Sequence, residues 1–178
     1  MQKDEIADIL KEIGVFLELK GENPFKTRAY QNGARTLESL SEPLETLIAE
    51  ERLAKVKGIG SALSEKITEL ATTGKLAYFE ELKASIPEGL IDILNIPGLG
   101  PKKVKAVYTK LGIDTVEALE QACNQNQLAE LPGFGNKTEA KILQGIQFRR
   151  NYASHHHISA ALNLAEPILE QFRVHPDV

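Results

Sequence analysis

Val56-Lys57-Gly58-Ile59-Gly60-Ser61 is one of three copies of an apolar-x-Gly-apolar-Gly pattern; the others are Ile96-Pro97-Gly98-Leu99-Gly100-Pro101 and Leu131-Pro132-Gly133-Phe134-Gly135-Asn136. The second glycines, Gly60, Gly100 and Gly135, stand 40 and 35 residues apart. A short apolar-periodic segment precedes each copy and a longer one follows, so each is expected to form helix, tight glycine hairpin, helix. Glycine serves such a turn by adopting positive φ and by letting the backbone approach a ligand closely. The second glycine opens the next helix, where unpaired N–H groups and the positive end of the dipole favour an anion such as phosphate. One copy alone would be an ordinary turn between packed helices. Three in one small chain point to a grip on a nucleic-acid backbone that carries no base information.

At 178 residues with 42% hydrophobic content, the chain has room for one ordinary domain or two small ones, each with a core. Its single cysteine, Cys123, cannot build an internal disulfide framework and is expected to be inert. The start, Met1-Gln2-Lys3-Asp4-Glu5, carries acid where a signal peptide would carry only base, and no apolar run approaches membrane-spanning length. The expectation is a soluble, cytoplasmic monomer with no membrane partner.

A net charge of −4 argues against a uniformly basic DNA-coating protein, but the charge is segregated. Lys26, Arg28 and Arg35 occupy an acid-free stretch from Asn23 to Leu37, and Lys102, Lys103, Lys105 and Lys110 another from Leu99 to Ile113. Glu38, Glu42, Glu45, Glu50 and Glu51 gather before the first hairpin, and Asp114, Glu117 and Glu120 after the second. The basic runs are either phosphate-binding stripes or solvated helix faces.

Helical spacing predicts a first helix from Asp4 to Lys20, ended by Gly21, and a second from Pro24 to about Leu40 in spite of Gly33. Short helices at Leu44–Ile48 and Arg52–Val56 lead into the first hairpin, followed by helices at Ser61–Thr73 and Leu76–Ile86. Pro87 to Gly89 suggests a boundary. Beyond it come a short helix before Pro97, a helix from Pro101 to Leu111, one from the cap Thr115 to about Gln125, and one from Asn136, expected as its cap, to about Tyr152. A last helix is expected from Ser159 to Phe172, interrupted by Pro167. With no alternating strand pattern, the fold class is all-α: two small helical modules, 1–86 and 87–152, then a segment 153–178.

Asn23-Pro24-Phe25-Lys26-Thr27-Arg28-Ala29-Tyr30, Gly58-Ile59-Gly60-Ser61-Ala62-Leu63-Ser64-Glu65-Lys66-Ile67 and Ala71-Thr72-Thr73-Gly74-Lys75-Leu76 together resemble the small lyase domain of the polymerase-β-like family X DNA polymerases, most closely its bacterial branch. Residues 95–150 resemble the DNA-binding module that follows it in that family. The resemblance implies helix-hairpin-helix motifs that hold gapped or nicked DNA without sequence preference, in base excision repair at the bacterial nucleoid. It also implies a polymerase domain beyond Val178. No Asp-x-Asp pair occurs in the sequence, so no divalent metal site, and with it no nucleotide addition, is expected of this chain.

By the same resemblance Lys26 and Tyr30 bind a 5′-phosphate, Phe25 stacks on a base, and Lys66 is the Schiff-base lysine of a 5′-deoxyribose phosphate lyase, which must be partly neutral to attack a sugar aldehyde. Lys141 stands at the same offset from the third hairpin, so Lys66 also reads as a solvated helix position, and Phe25 as a staple or core residue. Ala62 and Tyr78 fall where the family carries lysines, which weakens the lyase reading. Phosphate contacts are expected at Gly58, Gly60, Ser61, Gly98, Gly100, Lys102, Lys103, Gly133, Gly135 and Lys137. The family's hairpins also bind K⁺ or Na⁺ through main-chain oxygens, here of Ala54, Val56, Ile59, Leu94, Ile96 and Leu99, and of Ala129, Leu131 and Phe134. No organic cofactor is implied. His155-His156-His157 reads as a polar joint, since consecutive helical residues point about 100° apart. Two further classes stay open: an active lyase, and a hairpin scaffold that binds a protein partner.

Overall fold

α1, Lys3–Lys20, opens on Gln2, whose N–H donates to the Glu5 carboxylate at 2.7 Å, and closes on Gly21 at φ 75°. It begins the protein in the computed structural model, which describes residues 1–151 apart from the side chain of Glu130. Ile6, Leu10, Ile13 and Leu17 recur along one face of α1 and are at most 1% exposed. Burying each of them is worth roughly 1.5–3 kcal/mol. That face packs against α2 (Pro24–Glu38), α4 (Ser61–Thr73), α5 (Ala77–Ala84) and α7 (Pro101–Leu111). Between α2 and α4 lie α3, Leu44–Ala49, and a single 3₁₀ turn, Leu53–Lys55, where a short α-helix was expected. α6, Glu88–Leu94, precedes the second hairpin; α8, Val116–Asn124, and a 3₁₀ turn, Gln127–Glu130, precede the third. A ninth helix, α9, runs through residues 136–151. The expected helix at 159–172 and the three histidines lie outside the described residues.

All described elements are helices or turns, so the chain is all-α. It forms two bodies. The first comprises Met1–Leu94 and Leu99–Asp114, and the second, among the described residues, Asn95–Gly98 and residues 115–151. This grouping departs from a division near residue 87. α7 buries Val104 and Val107 completely and packs on α1, which draws α6 and α7 into the first body.

Within the first body Phe16 stacks on Phe79, ring centres 6.2 Å apart, and fixes α5 against α1. Gly33, an unfavourable residue in the middle of a helix, has a steric cause: a Cβ there would lie 2.2 Å from Leu63 Cδ2, so α2 and α4 could not approach as closely. Lys11 binds Asp8 at 2.9 Å and Glu38 at 2.6 Å, and Arg52 pairs with Glu42 and Glu50. Part of the acid before the first hairpin is thereby neutralised locally.

In the second body the Thr115 hydroxyl caps α8 by accepting the Ala118 N–H. Arg150 of α9 makes two bonds, of 2.9 and 2.6 Å, to the Glu120 carboxylate of α8. Asn136 lies inside α9 rather than capping it. The Gly135 carbonyl accepts the Thr138 and Glu139 N–H groups, which puts Gly135 in the cap position.

Candidate nucleic-acid interface

The three hairpins share one backbone geometry. The first glycines, Gly58, Gly98 and Gly133, have φ of 95°, 91° and 83°, values at which a β-carbon strains the chain. The outer two turns close with Ile59 N–H donating to the Val56 carbonyl and Phe134 N–H to that of Leu131, both at 3.0 Å. The residue between the two glycines, Ile59, Leu99 or Phe134, is buried and anchors the turn in its core.

Gly60 and Gly100 are extended caps: the Gly60 carbonyl accepts the Leu63 and Ser64 N–H groups and that of Gly100 the Val104 N–H, as the Gly135 carbonyl accepts those of Thr138 and Glu139 in α9. A β-carbon built on Gly60, Gly98, Gly100, Gly133 or Gly135 would meet nothing within 4 Å. All three hairpins therefore present open backbone at a helix N-terminus, where N–H groups and dipole favour an anion. Ser61 and Lys137 lie exposed in the first turns of α4 and α9. The Val56 and Leu131 carbonyls each keep one lone pair beyond the bond that closes the turn, so a hard cation is compatible with them.

Lys26 and Tyr30 of α2, Ala62, Leu63 and Lys66 of α4, and Tyr78 of α5 line a single cleft of about 410 Å³ in the first body. The i, i+4 spacing of Lys26 and Tyr30 puts both on one helix face. Tyr78 is held by its neighbours: Phe79 sits in the core, and the Ala77 N–H donates to Glu69 Oε1 at 3.3 Å. The Tyr78 ring stacks on Tyr30 with centres 6.3 Å apart and planes 8° apart. Lys66 Nζ lies 4.9 Å and Lys26 Nζ 5.8 Å from the centre of that ring. Burial first, and then Tyr78, raise the Tyr30 phenol well above its ordinary value, which keeps it a neutral hydroxyl. Glu22, 3.9 Å from Lys26, is the one acid paired with these groups among the described residues.

Phe25, beside this cleft in the sequence, is 77% exposed and so is neither a core residue nor a staple. Arg28, Lys102 and Lys105 line a second cleft with Glu18, Glu22 and Thr27. Lys102 is exposed and 3.9 Å from Glu18, while the Lys105 side chain packs over Gly21. Two residues of the second body escaped the sequence reading. Glu139, 3% exposed, accepts the Leu128 N–H at 3.1 Å and ties α9 to the turn before the third hairpin. Gly145 lets α9 rest on the second hairpin, since a Cβ there would stand 3.0 Å from Pro97 Cδ. Glu139 stands three residues into α9, where a carboxylate reads as a solvated first-turn acid. Its contact partner could not be seen from spacing.

Comparison with known proteins agrees with this geometry. Residues 1–76 match a family described as a helix-hairpin-helix domain, and residues 90–147 a SAM-like helix-hairpin-helix tandem. Over 170 residues, 96% of this chain, the sequence is 37% identical to DNA polymerase/3′-5′ exonuclease PolX of Bacillus subtilis (strain 168). Over 103 residues, 54% of the chain, it is 35% identical to a DNA ligase of Wolbachia sp. subsp. Brugia malayi (strain TRS). The matched regions make up 29% and 14% of those two relatives.

Proposed function

We propose, because this chain belongs to the helix-hairpin-helix region of the family X DNA polymerases, that it holds gapped or nicked DNA through backbone phosphates and seats a terminal 5′-phosphate in the Lys26–Tyr30–Lys66 cleft. The observation that carries the reading is the threefold repetition of a Gly-x-Gly turn whose second glycine is open at a helix N-terminus. Such turns offer N–H donors to a phosphate and present no group able to read a base edge. Exposed Phe25 supplies a ring on which a base can stack. Main-chain oxygens of the hairpins, Val56 and Leu131 among them, are suited to a K⁺ or Na⁺ ion that would hold each turn in its phosphate-binding shape.

The reading is tested by titrating the protein with duplexes of unrelated sequence over a range of salt. Affinity should fall with a log–log slope of about −0.9 per phosphate contacted and show little base preference. A gap bearing a 5′-phosphate should bind more tightly than one bearing a hydroxyl, and Lys26→Ala should remove most of that difference. Salt-independent binding, or no DNA binding beside tight capture of a protein, would favour the scaffold role. A second reading, 5′-deoxyribose phosphate lyase chemistry, is favoured by the place of Lys66 in the cleft wall. Nucleotide addition is not proposed, since the chain has no Asp-x-Asp pair to hold two metal ions.

A further inference from the structure

We infer that Tyr78 is the positioning residue that makes the cleft selective for a terminal phosphate monoester over an internal phosphodiester; the inference rests on the phosphate-binding reading of that cleft. One aromatic ring lies 4.9 Å from the Lys66 ammonium and 5.8 Å from that of Lys26, two cations brought from different helices. Each is attracted to the negative face of the ring, which offsets the mutual repulsion of two like charges and limits the rotamers of two long, flexible side chains. Tyr78 is itself fixed, stacked on Tyr30, which is 7% exposed, and carried by an α5 whose Phe79 is locked against Phe16.

The pair of ammonium groups is thus held in place before a ligand arrives. A terminal phosphate carries about 1.5–2 negative charges at neutral pH and three oxygens, enough to engage both, whereas an internal diester carries one charge. Glu22 competes for Lys26 alone, from 3.9 Å, and leaves Lys66 directed at the ring. A third lysine in place of Tyr78 would add charge but remove the group that orders the other two.

The test measures affinity of the purified chain for two one-nucleotide-gap duplexes that differ only in a 5′-phosphate or 5′-hydroxyl. Tyr78→Leu should lower the phosphate-to-hydroxyl preference about five- to thirty-fold, as expected for two cation–π contacts. Its affinity for the phosphate duplex should fall more than its affinity for the hydroxyl duplex. Tyr78→Phe, which keeps the ring, should restore the wild-type preference. In a Lys26→Met, Lys66→Met background, Tyr78→Leu should have no further effect on it. A preference that survives Tyr78→Leu, or that Tyr78→Phe loses as fully, overturns the inference while leaving the phosphate site standing. A wild-type chain that binds both duplexes equally removes the reading beneath it.

Discussion

Lys66 Nζ stands 4.9 Å from the centre of the Tyr78 ring, so the lysine at the matching position for imine chemistry is engaged by an aromatic face. That contact holds the amine against the ring face, and imine formation needs it to swing out to an aldehyde. The expected result of borohydride treatment with an incised abasic duplex is therefore, at most, a trace of covalent adduct. Lys66→Ala should abolish that trace, and Lys141→Ala should leave it. Robust trapping that depends on Lys66 would establish the lyase reading, and trapping that survives Lys66→Ala would assign the chemistry to another lysine.

The two glycines of each hairpin should fail in different ways. Gly58→Ala or Gly133→Ala forces a β-carbon onto a residue with φ of 95° or 83°, at a cost of about 1–2 kcal/mol that thermal denaturation should show. Gly60→Ala or Gly135→Ala meets no atom within 4 Å, so stability should hold while DNA affinity falls, the new methyl group standing where the proposed phosphate would approach. Equal loss of stability in both sets would remove the case for the second glycines as ligand contacts.

Phe25 and the lysines of α7 separate the two kinds of DNA contact proposed above. Because Phe25 is 77% exposed, Phe25→Ala should leave the melting temperature unchanged and weaken binding to gapped DNA by about 1–3 kcal/mol. Lys102→Ala combined with Lys103→Ala should weaken all duplexes about equally and flatten the salt slope. Chemical denaturation together with fluorescence anisotropy measures both.

Glu139 is a structural acid. Glu139→Leu leaves the Leu128 N–H without its acceptor inside the second body, at a cost of about 1–3 kcal/mol. Hydrogen exchange should quicken at the Leu128 amide, with no change in the amides of α1 and α2. Unaltered exchange at Leu128 would show that this bond is not what holds the turn.

Burial, reinforced by Glu139 and then Glu120, pushes the Cys123 thiol up to about 11. Between the usual thiol value of about 8.5 and that raised value, the unfolded chain loses the proton while the folded chain keeps it. The stabilisation this group contributes is thus fully present below the lower value and is lost as pH rises through the higher. Iodoacetamide should alkylate the native protein slowly at neutral pH and rapidly in denaturant. Fast labelling of the native form would contradict the burial.

Much of this protein was determined locally. The all-α class, the caps at Gly21, Gly74 and Gly112, and the positive φ of the three first glycines all follow from residue type and spacing within a few positions. The dipole end and unpaired N–H groups at the second glycines are likewise consequences of starting a helix there. Tertiary structure decided the rest. Lys26, Lys66 and Tyr78 are distant in sequence and share a cleft because α2 meets α4 at Gly33 and Leu63, and because Phe79 locks α5 onto α1. Packing also turned Phe25 outward, drew α7 into the first body, and buried Glu139 beneath a hairpin. Helical periodicity tells which residues share a face. Which face meets which is decided by summed contacts across the whole core, where the absence of one methyl group at Gly33 or Gly145 sets how near two elements can come.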